Sequence, residues 1–291
     1  MNLRIFGFAT VLNFDRVIRP NSRISRFPRF AQPLAIFIRS VFGFVIRKLP
    51  MTPNRYHYHF DSVATGNNTD FMDDAKFQVA YNSLVRSYGW DPGLPWRVHQ
   101  VMWAVEQTRD VEGSWIEFGV GRGGLMSAAL THHGSWNESG RDLHLFDTFL
   151  PFRLNSEGNQ ISSSSFHPNP LQKNDQLSTK FKYYASSLEV TVNNFAEFDN
   201  VNFHVGNVFE TLPNFDCPSL SFVSIDLNYA PAEEFVLNFI YDRISRGGVI
   251  ILDDYAAASR VKQREAYDKQ SKILGFSILR TPSGQGIVVK N

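Results

Sequence analysis

Short apolar runs that stop at glycine or aspartate organise the second half of the chain. Trp115-Ile116-Glu117-Phe118, Leu143-His144-Leu145-Phe146-Asp147, Val201 to Val205, Ser221-Phe222-Val223-Ser224-Ile225-Asp226 and Val249-Ile250-Ile251-Leu252-Asp253-Asp254 are such runs. They lack a sustained solvent face, as strands buried on both sides do. Helix-length segments at 125–133, 187–195, 231–244 and 259–274 separate or follow them, so the pattern predicts an α/β fold with a doubly wound, mainly parallel sheet. Residues 276–280 and 286–290 flank Pro282-Ser283-Gly284 and predict a closing antiparallel hairpin. Ahead of the first strand, 73–88 and 95–109 read as helices, the second opening with Pro95 at a helix-compatible first position. Residues 51–72 are polar and irregular. The stretch 155–179, with four consecutive serines at 162–165 and prolines at 168 and 170, has no periodicity, and its length beside a strand end predicts a lid over a substrate.

Charge separates the chain further. Residues 1–50 carry eight arginines and Lys48 against the single acid Asp15, a net +8, whereas the 20 basic and 27 acidic residues that follow come to −7. The chain therefore reads as a basic amphipathic segment (1–50), a helical cap (51–110) and a catalytic domain (111–291). Within the first segment, residues 34–48 place Arg39, Ser40, Gly43 and Arg47 on one narrow helical stripe and cover the rest with apolar side chains. Three readings stand for it: peripheral contact with a membrane or partner, a helix packed on the catalytic domain, or an upstream extension with Met51 as the start. The run is too short and too interrupted to span a bilayer. The lone Cys217 permits no internal disulfide and no thiolate cluster, which fits a cytoplasmic location. A net acidic catalytic part disfavours nucleic acid as a partner. A homo-oligomer is compatible with the sequence.

Two chemical features stand at the predicted carboxyl ends of strands, where open α/β sheets bind ligands. Gly119-Val120-Gly121-Arg122-Gly123-Gly124 joins a strand to a helix, a form that lets backbone approach a ligand and points free amides at it. Asp147 ends the next strand, where a carboxylate can accept both hydroxyls of a ribose. A nicotinamide site would place its acid about 20 residues beyond the glycines; Glu138 has that spacing but sits in a polar loop, so Asp147 is the better candidate. The second feature is the trio Asp226, Asp253 and Asp254. Carboxylates gathered at one edge repel unless a cation sits between them, so the trio predicts a metal site.

Five blocks taken in order carry a resemblance: Glu117 to Gly124; Leu145-Phe146-Asp147-Thr148-Phe149; Gly206-Asn207-Val208-Phe209-Glu210-Thr211-Leu212-Pro213; Ile225-Asp226; and Leu252-Asp253-Asp254-Tyr255. Together they resemble the macrocin O-methyltransferase family of class I S-adenosylmethionine-dependent sugar O-methyltransferases, over about residues 73–290. The resemblance implies a Rossmann-like seven-stranded sheet with S-adenosylmethionine across the first strand ends. It implies that Glu117 meets the methionine ammonium, that Gly119, Gly121 and Gly123 line the methionine part, that Asp147 with Thr148 holds the ribose, and that Asn207 with Val208 meets the adenine. It places Mg²⁺ on Asp226, Asp253 and Asp254; since a base must lie within hydrogen-bond reach of the acceptor hydroxyl, Asp226 is also the candidate to take its proton. Two positions depart from it: Asn228 stands where many relatives carry a second acid, and Gly121 where a bulky residue is common.

The expected activity is methyl transfer to a hydroxyl of a sugar or glycosylated small molecule. A phenolic or lipid-linked acceptor, and a noncatalytic module that keeps the cofactor pocket, are the alternatives. Among the histidines, His57 and His59 read as surface or packing residues, His144 and His204 as hydrogen-bonded core residues, and His167 in the lid as an alternative base.

Overall fold

A computed structural model describes residues 58–149, 153–154, 160–161 and 188–291. The basic segment 1–50 with its 34–48 stripe, His57 and His167 lie outside these residues, as does the lid 155–179 apart from 160–161. The chain divides between Thr69 and Asp70.

Before that division, β1 (Tyr58–Phe60) pairs antiparallel with β2 (Val63–Thr65), a hairpin within the stretch read as irregular. Its two-residue turn puts both Asp61 and Ser62 at positive φ, 48° and 63°, the backbone twist that short hairpin loops require. Neither residue is the glycine that signals such a turn.

After the division the chain opens with a 3₁₀ turn at Asp70–Asp73 and α1 (Ala75–Tyr88). The helix starts two residues later than its periodicity suggested, because the Asp74 side chain accepts from the amides of Lys76 and Phe77 and so caps it. There follow α2 (Pro95–Thr108), β3 (Ser114–Phe118), α3 (Gly124–His133), β4 (Leu143–Asp147), β5 (Arg153–Leu154), β6 (Gln160–Ile161), α4 (Leu188–Asn194), β7 (Val201–Val205) and the short α5 (Val208–Thr211). The chain ends with β8 (Leu220–Ile225), α6 (Ala230–Ile240), β9 (Ile244–Leu252), α7 (Val261–Leu274), β10 (Leu279–Arg280) and β11 (Gly286–Val289). β5 and β6 pair antiparallel as a separate two-stranded sheet.

Seven strands form one sheet in the order β10-β11-β9-β8-β3-β4-β7. β9, β8, β3, β4 and β7 are parallel neighbours, and β11 runs antiparallel to both β9 and β10. This is the Rossmann-like class I arrangement with its closing hairpin. β3 runs outward to β4 and β7, and the chain then returns to β8 on the other flank of β3. The order therefore reverses at β3 and β8, the switch point where open sheets bind ligands.

Alternate side chains of these strands enter two cores. Ile116, Phe118, Val223, Ile225, Ile250 and Leu252 pack with Val236, Leu237 and Ile240 of α6 and Tyr267 of α7. Trp115, Leu143, Leu145, Phe222, Val249 and Ile251 pack with Val101, Ala104 and Val105 of α2 and Met126, Ala129 and Leu130 of α3. β3, β4 and β8 are covered on both faces, which is why they read as nearly unbroken apolar runs, whereas the edge strand β7 is part-exposed along its length. Among the described residues no helix is long and apolar enough to cross a membrane.

His144 and His204 pair across β4 and β7, Nδ1 to Nε2 at 3.2 Å. His204 stacks on Phe146 with centroids 4.1 Å apart, and Phe215 packs edge-on against both histidines. Burial, reinforced by the His204 charge, pushes His144 down to about 4, and burial lowers His204. Both folded-state values lie below the unfolded one, so the neutral pair is at no disadvantage above pH 6.5. Stability is then lost as pH falls from there towards 4. We expect urea unfolding to show a loss of up to about 3 kcal/mol between pH 7 and pH 4 from His144, and His144→Phe to flatten that part of the profile.

Candidate active site

The carboxyl edge of the sheet is assembled by main chain. Gly119 N donates to Phe146 O at 2.9 Å, Asp226 N to Phe118 O at 2.8 Å, Asp253 N to Ile225 O at 3.0 Å and Gly206 N to Asp147 O at 3.0 Å. These bonds lock the ends of β7, β4, β3, β8 and β9 side by side. Asp147, the glycine turn, Asp226 and Asp253 thus come to one edge.

The glycine turn is closed on one side and open on another. Gly119 sits at φ +86°, and a Cβ there would lie 1.9 Å from the Asp226 carbonyl oxygen. Gly121, at φ +54°, would place a Cβ in open space with nothing within 4 Å. Gly123 stands at the N-cap of α3 and donates to Val120 O at 2.8 Å. The outward carbonyls of the turn are taken by α4: Thr191 Oγ1 donates to Gly121 O at 2.9 Å, and Asn194 Nδ2 to Arg122 O at 2.9 Å.

Asp147 organises the inner side. Its Oδ2 accepts from Gly121 N and its Oδ1 from Phe149 N, both at 2.8 Å, with Thr148 Oγ1 at 3.5 Å. Phe149 adopts φ 51° to make this contact. Asn207 and Val208 follow Gly206 at the adjoining strand end, and the Asn207 side chain caps α5 by accepting from Phe209 N at 3.1 Å. Glu117 is 3% exposed, and its Oε2 has no hydrogen-bond partner. Burial, with the charges of Asp147 and Asp253 adding to it, holds the Glu117 carboxyl well above the usual carboxylate range. A buried acid with an unpartnered oxygen beside a backbone cradle fits a cationic ligand group such as an ammonium.

The acids from β8 and β9 do not form the expected metal site. Among the described residues no group of three His, Cys, Asp or Glu side chains is arranged to hold a metal ion. Asp253 and Asp254 are consecutive and turn to different partners. Asp253 accepts from Arg97 Nη1 of α2 and from Gln285 Nε2 at 2.7 Å, whereas Asp254 pairs with Arg260 Nε at 3.1 Å. Asp226 Oδ1 accepts from Asn228 Nδ2 at 2.7 Å. The negative charge that was to require Mg²⁺ is balanced by guanidinium groups of the chain. The expectation of Mg²⁺ on Asp226, Asp253 and Asp254 is corrected accordingly.

Asp226 keeps partial exposure. Burial, then the charges of Asp253 and Asp254, pushes its carboxyl well above the usual range, with Arg97 opposing. Tyr88, at the end of α1, lies against Gly124; burial and the charges of Asp226, Glu117 and Asp253 raise its phenol above the usual value. Arg97, Gln285, Tyr88 and Arg260 belong to no motif. Arg97 meets an acid 156 positions away, so no local spacing could have found it.

The solved structure of the O-methyltransferase NovP is similar with a TM-score of 0.56 at 20% identity, covering 77% of this chain and 100% of that one. A crystal structure of CalS11, a calicheamicin methyltransferase, gives 0.49 at 15% identity over 88% of this chain and 93% of the other. At these identities the NovP likeness is one of fold. No curated protein sequence matches. The profile of the macrocin-O-methyltransferase (TylF) family matches residues 96–275, more than half of the chain, spanning the sheet from β3 to β9 with the glycine turn and the acids at its edge. The chain therefore belongs to the macrocin-O-methyltransferase family and is a class I S-adenosylmethionine-dependent O-methyltransferase.

Proposed function

We propose that the edge from β7 to β8 holds S-adenosylmethionine and that Asp226 takes the proton of a sugar or glycoside hydroxyl. The observation that carries the reading is the glycine turn, closed at Gly119 and open at Gly121 above an acid on each side. Glu117 would face the methionine ammonium, Gly119, Gly121 and Gly123 would line the methionine part, and Asp147 with Thr148 would hold the ribose. Val208 and the Asn207 backbone would border the adenine, since the Asn207 side chain is engaged in capping. The bound cofactor supplies an electrophilic methyl group on its sulfonium.

The acceptor reading is supported by the family, named for methylation of macrocin, and by the acidic edge beside the donor cradle. An aliphatic hydroxyl ionises poorly at neutral pH, so its proton must be taken as the methyl group transfers, by a base within hydrogen-bond reach. Asp226 stands next to the glycine turn and is anchored by Asn228 at one oxygen, an arrangement suited to that task. Orientation of the two reactants is the remaining contribution of the chain. Part of this proposal is the division into a basic segment 1–50, a cap 51–110 and a catalytic domain 111–291, with α1 and α2 of the cap bordering the acceptor.

The test is incubation with methyl-labelled S-adenosylmethionine and a panel of glycosides, with mass spectrometry of what gains the label. Methylation of an oxygen on a sugar ring is the expected result; label found only on phenols would overturn the acceptor class. For the donor site, Asp147→Ala is expected to weaken cofactor binding about ten-fold or more by calorimetry, the loss of a charge-assisted hydrogen-bond pair.

A further inference from the structure

Asp226, Asp253 and Asp254 crowd one strand edge, and cations of the chain itself reach two of them. Arg97 reaches Asp253, and Arg260 reaches Asp254. Asn228 connects the second pair to Asp226. Its Nδ2 donates to Asp226 Oδ1 at 2.7 Å, and its Oδ1 accepts from Arg260 Nη2. The result is a continuous chain from Asp226 through Asn228 and Arg260 to Asp254. An aspartate at 228 could accept from Arg260, but it could not donate to Asp226 and would set a second anion against it. An amide satisfies both neighbours at once. The backbone of Asn228 is at φ 56°, a conformation that asparagine tolerates better than most side chains.

Resting on the methyl-transfer reading above, we propose that Asn228 and Arg260 are positioning residues that take the place of a divalent ion at this edge. Arg260, anchored on Asp254, supplies the positive charge. The Asn228 amide delivers it to Asp226 as a directed hydrogen bond, fixing one carboxylate oxygen. Arg97 neutralises Asp253 in the same way. The edge therefore disfavours a metal ion because its positive charge is built in, and the amide at position 228 is what allows it.

Mn²⁺ is the probe, followed by electron paramagnetic resonance on the full chain. The wild-type protein is expected to leave the spectrum of the free aqueous ion unchanged. Asn228→Asp combined with Arg260→Gln replaces the amide with a carboxylate and removes the cation; it is expected to bind Mn²⁺ at least about ten-fold more tightly. Adding Asp226→Asn should cancel that gain. Arg260→Lys, which keeps the charge, should behave as wild type, a rescue that a purely structural role would not predict for metal affinity. Should the double variant fail to fold, Arg260→Gln alone is read in the same way. Tight Mn²⁺ binding by wild type that Asp226→Asn removes would overturn the proposal, as would no gain in any folded variant. Calorimetry with S-adenosylmethionine on the same samples separates the two readings: absent cofactor binding sinks the methyl-transfer reading, whereas the Mn²⁺ response still decides the charge arrangement.

Discussion

Asp226→Asn is expected to lower turnover about 10²–10⁴-fold, the usual contribution of a positioned base, while S-adenosylmethionine binding stays within about three-fold of wild type, under 1 kcal/mol. The substitution is nearly isosteric, and an asparagine oxygen at 226 can still accept from Asn228 Nδ2. What disappears is basicity alone. Cofactor contacts are expected to survive because those proposed for it lie on Glu117, the glycine turn, Asp147 and the Asn207–Val208 segment. The pH dependence adds a second check. Burial and the neighbouring Asp253 and Asp254 raise the Asp226 carboxyl, so its ionised, proton-accepting form is populated only above the ordinary carboxylate range. Turnover should rise with pH on an acid limb displaced upward from that range. A flat profile through the weakly acidic region, or an Asp226→Asn variant with full turnover, would remove Asp226 from the reaction.

Gly119→Ala is expected to damage fold and site together. The added Cβ would meet the Asp226 carbonyl oxygen at 1.9 Å and its carbon at 2.6 Å. Both are backbone atoms, so no rotamer change relieves the contact, and the hydrogen bond from Asp226 N to Phe118 O keeps the strands from parting. Overpacking and strain at positive φ together cost about 3–5 kcal/mol, a large share of the stability of an ordinary domain. Chemical denaturation should show that loss. Gly121→Ala is the informative contrast: its Cβ enters open space, so stability should fall by only about 1–2 kcal/mol of left-handed strain, while cofactor affinity collapses. Equal affinity losses with equal stability losses in the two variants would argue that Gly121 faces no ligand.

The sheet, and the gathering of Glu117, the glycine turn and Asp147 at one of its edges, were legible in the sequence because both are local. Buried parallel strands need contiguous apolar runs, and Glu117, the glycines and Asp147 are ordered by the strand ends that carry them. The acidic trio was legible as a cluster but not in its electrostatics. Asp253 and Asp254 are adjacent in sequence, yet one turns to Arg97 of α2 and the other to Arg260 ahead of α7. Arg97 lies three helical turns or more from any motif and Arg260 in an unremarkable loop, so neither announced the charge that balances the acids. The hairpin at β1 and β2 escaped for a different reason. Its turn uses Asp61 and Ser62 at positive φ, where a glycine or asparagine pair would have been the signal.

The close fit of Gly119 against the Asp226 peptide limits how this enzyme can diversify. In the proposed reaction Asp226 touches the donor turn through its main chain and addresses the acceptor through its side chain. The spacing between methyl donor and proton acceptor is thereby written into a backbone-to-backbone fit that no side-chain replacement can adjust. On that proposal new acceptors would be accommodated elsewhere, by residues such as those of α1 and α2, while the reacting distance would be inherited unchanged.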